Sequence, residues 1–222
     1  MKPLIHELLA KPLSGEQIEA RSLAIIDREA PPHAFTPEQW LVVRRMVHAT
    51  ADFSLLEQVR FSPDAIAAAC RALTAGAPIY TDANMIRAGL SLPRLQRVCP
   101  DYRAESILCH VADADVAAEA HRSALPRSLF AVRKAATQLE GGIAVFGNAP
   151  VALLELNRLI LETGLRPALV VGMPVGFVHV LESKQELMEI GVPYISIEGR
   201  RGGSPLAVSA VHALCELALR AH

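Results

Sequence analysis

The chain has few aromatic residues and almost no net charge. The first feature limits the kind of core that it can form, and the second limits the partners that it can bind. Only 5% of its 222 residues are aromatic although 51% are hydrophobic, so its core is built mainly from Ala, Val, Leu and Ile. This composition suits helices layered on a parallel sheet. The formal net charge is −1, from 22 basic and 23 acidic residues. Such a balance gives no positive field for nucleic acid, which we exclude as a partner.

Motifs for metals, disulfides, nucleotides and hydrolysis are also missing. The four cysteines include no Cys-x-x-Cys pair, so we expect free thiols, no disulfide framework and no metal site. No Walker A loop, Gly-x-Gly-x-x-Gly fingerprint or Gly-x-Ser-x-Gly elbow occurs. The chain begins without a signal-like segment and has no uncharged run of membrane-spanning length. We therefore predict a cytoplasmic protein with no membrane partner.

Five short apolar or β-branched runs predict the strands of a mostly parallel sheet. Each run is followed by a loop and a helical pattern, which is the βαβ rhythm of an α/β fold. The runs are residues 78–81, 106–111, 143–146, 168–171 and 194–197. We expect one domain over residues 1–222, with residues 1–14 as an N-terminal extension and helices flanking the sheet.

Capping residues predict where several helices begin. Thr36-Pro37-Glu38-Gln39 has the pattern of a capping box with a first-turn proline. Ser62-Pro63-Asp64 opens another helix by the same logic, which Gly76 closes, and Ser204-Pro205 opens the last one. Pro126 interrupts the helical stretch of residues 115–139, where we expect a break.

Ligands of parallel sheets bind where strands end and loops lead into helices. Four such loops are unusual here: residues 81–84, 147–150, 172–176 and 199–204. In the last loop, Arg200 and Arg201 stand among three glycines before a capped helix. They either converge with free backbone N–H groups on a carboxylate or phosphate, or form a solvated pair beside an ordinary helix start.

The other loops also allow two interpretations. Asp82 and Asn148 follow strands, where short polar side chains bind ligands or simply cap helices and stabilise turns. The glycines of residues 172–176 leave room for a flat ligand or allow close packing. In the first case Met173 supplies a soft apolar contact.

His48 is the candidate acid. It is expected in the last turn of the helix that begins at Pro37, where the helix dipole favours imidazolium, while Arg44 and Arg45 one turn earlier oppose it. An imidazole placed so is suited to general acid catalysis near neutral pH. Position alone favours a hydrogen-bonded structural histidine.

Seven segments together resemble the precorrin-8X methylmutase (precorrin isomerase) family, in the family's order and spacing. The similarity runs from about Arg21 to the last helix. The segments are Glu19–Ile26, Arg45–Thr50, Gly76–Ile79, Gly147–Pro150, Gly172–Val178, Glu182–Lys184 and Gly199–Ser204.

The resemblance implies a three-layer fold and an isomerase of cobalamin biosynthesis. The implied reaction moves a methyl group from C-11 to C-12 of precorrin-8X to give hydrogenobyrinate, or converts cobalt-precorrin-8 to cobyrinate. His48 protonates a ring nitrogen, and no cofactor is needed. The resemblance further implies a homodimer with its site near the subunit interface. The alternative from another class is a corrinoid-binding carrier without turnover.

The resemblance also suggests which residues bind the tetrapyrrole. The first candidates are Ser22 and Arg45, although Arg45 is equally suited to orienting His48. The remaining candidates are Arg21, Asp82, Arg122, Asn148, Arg200 and Arg201. The chain departs from the family pattern at Leu23, Val151 and His179, and these departures bear on the shape of the pocket.

Overall fold

The computed structural model describes residues 3–220, so the predicted domain limits at Met1 and His222 lie outside the described residues. A six-stranded sheet runs through the centre, in the order β1-β6-β5-β4-β2-β3. The strands are β1 (Val59–Phe61), β2 (Ile79–Thr81), β3 (Ile107–Leu108), β4 (Ile143–Phe146), β5 (Leu169–Gly172) and β6 (Tyr194–Ile197).

All neighbouring strands are parallel except β1, which pairs with β6 in the antiparallel sense. The five predicted strands are confirmed. Strand β3 is shorter than predicted, because the chain leaves the sheet after Leu108. Strand β1 was not predicted, because a run of three residues with an arginine in the middle is too short to show a strand pattern.

Within residues 3–220 the chain forms twelve α-helices, and short 3-10 turns occupy Phe53–Glu57 and Ala104–Ser106. None of the helices is both long and apolar enough to span a membrane. The helices are α1 (Ile5–Ala10), α2 (Gly15–Glu29), α3 (Pro37–Thr50), α4 (Ala65–Thr74), α5 (Asn84–Gly89), α6 (Leu92–Val98), α7 (Ala114–Ser123), α8 (Arg127–Lys134), α9 (Ala136–Leu139), α10 (Pro150–Thr163), α11 (Val180–Glu189) and α12 (Ser204–Arg220).

Most of the predicted helix starts and ends are observed in the structure. Thr36 Oγ1 accepts a hydrogen bond from Gln39 N at 3.2 Å, and Gln39 Oε1 accepts one from Thr36 N at 3.0 Å, which is the predicted capping box. The break beside Pro126 is confirmed, since α7 ends in the left-handed Ala124. The segment Ser62-Pro63-Asp64 leads into α4 as predicted, with Asp64 at the N-cap, while the Ser62 hydroxyl accepts a hydrogen bond from the first residue of β6.

Two helical layers cover the two faces of the sheet, as the predicted three-layer α/β fold requires. Successive residues of β4 point to opposite layers. Val145 joins the cluster formed with α3, α4 and α12, whereas Ala144 and Phe146 join the cluster formed with α10 and α11. The mostly aliphatic core expected from the composition is confirmed in both clusters.

Candidate active site

The loops that follow β2, β4, β5 and β6 meet at one edge of the sheet, because these strands are parallel. Their backbones touch one another. Gly203 N–H donates to Met173 O at 2.9 Å. A Cβ on Gly202 would lie only 2.2 Å from the same oxygen, and a Cβ on Gly147 would lie 2.9 Å from the Ser204 backbone. Only glycine at these two positions lets the loops close against each other.

The glycine-rich segment after β5 is packed at its start and open farther along. A Cβ on Gly172 would lie 2.3 Å from Leu187 Cδ2, so this glycine serves close packing. Met173 is fully buried in the core, and the structure therefore does not support its expected contact with a ligand. Beyond it, the ring of Phe177 is 87% exposed.

Asp82 anchors one of these loops. Its carboxylate is 1% exposed and accepts hydrogen bonds from three successive backbone N–H groups: Gly147 at 3.0 Å, Asn148 at 2.9 Å and Ala149 at 2.6 Å. Burial raises the pKa of Asp82, and the three N–H groups oppose that rise. The side chain therefore lies beneath the loop after β4, while Asn148 is exposed on top of it.

The two arginines of residues 199–203, hereafter the arginine loop, have different surroundings. Arg201 donates to Ser54 Oγ at 2.6 Å and forms an ion pair with Asp52. Hydrogen bonds from Ser54, together with Arg201, lower the pKa of Asp52 to about 2. Arg200 is exposed, and its guanidinium carbon lies 5.9 Å from the centre of the Phe177 ring. Arg200 is thus the arginine of the loop that remains available to a ligand.

Lys184 supports the arginine loop from below. Its ammonium donates to Gly199 O at 2.9 Å and to Arg201 O at 2.5 Å. The segment Glu182–Lys184 has the charge pattern of an exposed helix start, and Glu182 is exposed, but Lys184 is only 1% exposed. Burial lowers the pKa of Lys184 to about 8.

His48 lies in the last turn of α3, as predicted, and lines a surface pocket of about 290 Å³. It is exposed, and its imidazole makes no hydrogen bond to the residues that the structure describes. Ser22 and Glu29 of α2 and Phe53 line the same pocket. The structure therefore brings Ser22 and His48 together. The sequence did not single out Glu29 or Phe53, because Glu29 reaches the pocket through the packing of α2 on α3 and Phe53 through the 3-10 turn that follows α3.

Arg45 is held in a group of four charged side chains. It donates to Glu19 at 2.7 Å and pairs with Glu216, which also accepts from Arg94 at 3.0 Å. Burial opposes ionisation of Glu19, but Arg45, Arg94 and His48 hold its pKa below the usual range. Arg44 is likewise paired, with Asp27 at 2.6 Å. Both arginines that precede His48 are thus neutralised by carboxylates.

The pocket of His48 is linked to the arginine loop through residues 52–54. Phe53 lines the pocket, and its neighbours Asp52 and Ser54 bind Arg201. Of the candidates for substrate binding, Ser22 alone lines this pocket with His48. Arg21 is exposed on α2 and does not line the pocket, and Arg122 is paired with Glu119 on α7, a helix that packs against α8.

The positions where the sequence departs from the family pattern also have structural roles. Leu23 packs against the core beneath α2. Val151 lies in the first turn of α10, and His179 precedes α11 in a left-handed conformation with φ of 59°. Across residues 3–220, the cysteines are unpaired and no group of three or more His, Cys, Asp or Glu side chains is placed to hold a metal ion.

Comparison with known proteins agrees with this fold. The family described as "CbiC: Precorrin-8X methylmutase" matches residues 17–217. A cobalt-precorrin-8 methylmutase of Priestia megaterium is 42% identical over 94% of this chain and 91% of its own length. One of Leptospira interrogans is 43% identical over 90% of this chain and 92% of its own length.

A solved structure extends the likeness to three dimensions. A precorrin-8X methylmutase from Thermus thermophilus is 47% identical, covers 93% of this chain and 98% of its own, and superposes with a TM-score of 0.85. The four strand-end loops and His48 all fall inside the range that the family matches. The chain therefore belongs to the precorrin-8X methylmutase family.

Proposed function

We propose that this protein is an isomerase of cobalamin biosynthesis that moves a methyl group from C-11 to C-12 of precorrin-8X, or of its cobalt-containing counterpart. The observation that carries the proposal is the juxtaposition of His48 and Ser22 in an open pocket beside the arginine loop. Relatives that share 42% to 47% of its residues are named as methylmutases.

The chemistry requires a proton donor and little else. The methyl group leaves C-11 as it bonds to C-12 of the same molecule, so no external acceptor is needed. His48 donates a proton to a ring nitrogen, which lowers the barrier to the migration, and it accepts the proton back when the product forms. His48 stands in the last turn of α3 and faces an open pocket, where a ring nitrogen of the substrate can reach its imidazole. The neighbouring Arg44 and Arg45 are paired with carboxylates.

Three side chains are assigned to substrate binding. We assign Arg200 and Asn148, both exposed, to the carboxylates at the edge of the macrocycle, and Ser22 to contact beside His48. We assign Asp82 and Arg45 to positioning, because their polar atoms are already engaged within the protein. Arg21 and Arg122, which lie outside the pocket, remain candidates for a part of the substrate that extends beyond it.

We also propose that the enzyme works as a homodimer. A volume of about 290 Å³ is at the lower end of ligand pockets, roughly 300–1,000 Å³, and a tetrapyrrole needs more enclosure than that. Ile18 and Ile25 are exposed on α2, the helix that carries Ser22. A second copy covering these side chains would enlarge the pocket, and sedimentation velocity tests whether the protein forms this dimer.

Four unpaired cysteines support a reducing, cytoplasmic location.

The decisive experiment follows the absorbance of precorrin-8X and of cobalt-precorrin-8 during incubation with the protein. Wild type is expected to convert at least one of them, because the methyl shift changes the conjugation of the ring. His48→Ala should bind the macrocycle but lose roughly 10²–10⁴-fold in rate, the usual contribution of a general acid. His6→Ala on α1 is the matched control and should convert at the wild-type rate.

Two outcomes contradict the proposal in different ways. Full activity of His48→Ala would remove His48 from the mechanism. Binding of both macrocycles by the wild type without conversion of either would leave the alternative, a corrinoid carrier, which the names of the relatives do not favour.

A further inference from the structure

Lys184 is a buried cation without a carboxylate partner among residues 3–220. Its side chain is 1% exposed, and its two hydrogen bonds both go to backbone carbonyls, those of Gly199 and Arg201. Lysine is almost never buried so completely unless it is paired with an acid. Packing alone does not account for a charge at this place.

The arginine loop is fixed at three successive carbonyl groups. The Lys184 ammonium donates to the first and third of them, Gly199 O and Arg201 O. The Gly176 N–H donates to the second, Arg200 O, at 3.3 Å. The side chain of Arg201 ties the same loop to Ser54. With its backbone bound from within, the loop presents Arg200 as its exposed arginine, beside the exposed ring of Phe177, while Arg201 is engaged with Ser54 and Asp52.

We propose that Lys184 is a positioning residue for substrate binding, which holds the arginine loop so that Arg200 meets a carboxylate of the macrocycle. This inference rests on the proposed function. A single ammonium donates to two carbonyls at once, which a neutral aliphatic side chain of the same length cannot do. Because no acid neutralises it, its charge also adds to the attraction of an anionic substrate toward the loop.

Three substitutions of Lys184 separate its hydrogen bonds from its volume. Lys184→Met keeps the length and removes the donors, Lys184→Gln keeps a neutral donor, and Lys184→Arg keeps both charge and donors. Lys134→Met is the matched control, since Lys134 pairs with Asp113 and Asp115 on the surface. The readouts are KM and kcat for the precorrin form that wild type converts, and the Kd of hydrogenobyrinate.

Lys184→Met is expected to raise KM and the Kd of hydrogenobyrinate at least tenfold while kcat changes less than threefold. Lys184→Arg should stay within threefold of wild type in all three constants, and Lys134→Met should not differ from it. Unchanged KM and Kd in Lys184→Met, or a loss confined to kcat, would overturn the inference. Wild type that converts neither precorrin form would instead defeat the proposed function.

Should Lys184→Met fail to fold, Lys184→Gln and the double variant Lys184→Gln with Arg200→Gln decide the matter. Lys184→Gln should raise KM at least threefold. If Lys184 acts through Arg200, its substitution should raise KM less in the Arg200→Gln background than in wild type. Equal factors in the two backgrounds would show that Lys184 does not act through Arg200, and the inference would be wrong.

Discussion

The pocket of His48 and the arginine loop are linked through residues 52–54, and they differ in how firmly the protein holds their functional groups. The imidazole of His48 is exposed and makes no hydrogen bond to the described residues. In the arginine loop, by contrast, Lys184 and the Gly176 N–H bind successive carbonyls, and Arg201 is bound to Ser54 and Asp52. The proposed acid is thus left without side-chain partners, whereas Arg200, the proposed binding group, stands on a backbone fixed at several points.

This difference fits the two tasks. A proton donor must exchange its partner during the reaction, so permanent hydrogen bonds to other side chains would compete with the substrate. A group that binds a carboxylate gains from being held in place beforehand, because less freedom is lost when the ligand arrives. Variants of the fixed region should therefore lower stability or affinity, and variants of His48 should lower the rate.

The largest effect on stability is expected at Asp82, which fixes the loop after β4 that packs against Ser204, directly after the arginine loop. Asp82→Ala leaves three backbone N–H groups of the loop after β4 without their acceptor, and such losses add up to about 2–4 kcal/mol of unfolding free energy. Urea unfolding followed by circular dichroism measures this change. Asp101→Ala, at an exposed aspartate, is the control and should stay within about 0.5 kcal/mol. An equally small change in Asp82→Ala would show that Asp82 does not anchor the loop.

The sequence predicted the parallel strands and the loops that follow them, because both follow from short-range patterns. The apolar runs that became β2, β4, β5 and β6 were all recognised. The pairing of Ser22 with His48 followed from the family resemblance, since the two helices that carry them are separated by a proline-containing loop whose path no local pattern fixes.

What the sequence did not predict is the set of partners for charged residues. The segment Glu182–Lys184 has the pattern of an exposed helix start, yet Lys184 binds carbonyls 15 and 17 residues away. Arg45 meets a carboxylate on α12, 171 residues later. Backbone carbonyls carry no residue-specific signal, and distant ion pairs arise only once the helices have packed. Burial of polar groups is therefore a property that the structure supplies.

An intermediate effect is expected from the pH dependence of stability. Burial lowers the pKa of Lys184 to about 8, below its ordinary value of 10.5. Between these values the unfolded chain binds more protons than the folded one, so stability gains a contribution as pH rises, at most about 1.4 kcal/mol per pH unit. Lys184→Arg lacks this contribution because arginine does not titrate there. Unfolding free energies of both proteins from pH 7.5 to 10 should diverge; parallel curves would contradict the lowered pKa.

The smallest and most discriminating difference is expected between the two arginines of the loop. Arg200→Gln should raise KM three- to tenfold and leave the unfolding free energy unchanged, because its guanidinium contacts only an exposed ring. Arg201→Gln should lower that free energy slightly, and far less than Asp82→Ala does, through the loss of its bonds to Asp52 and Ser54, because exposed ion pairs contribute little to stability. Its effect on KM should be the smaller of the two. If Arg201→Gln weakens binding more than Arg200→Gln without lowering stability, the roles are reversed, and Arg201 must leave Asp52 to meet the substrate.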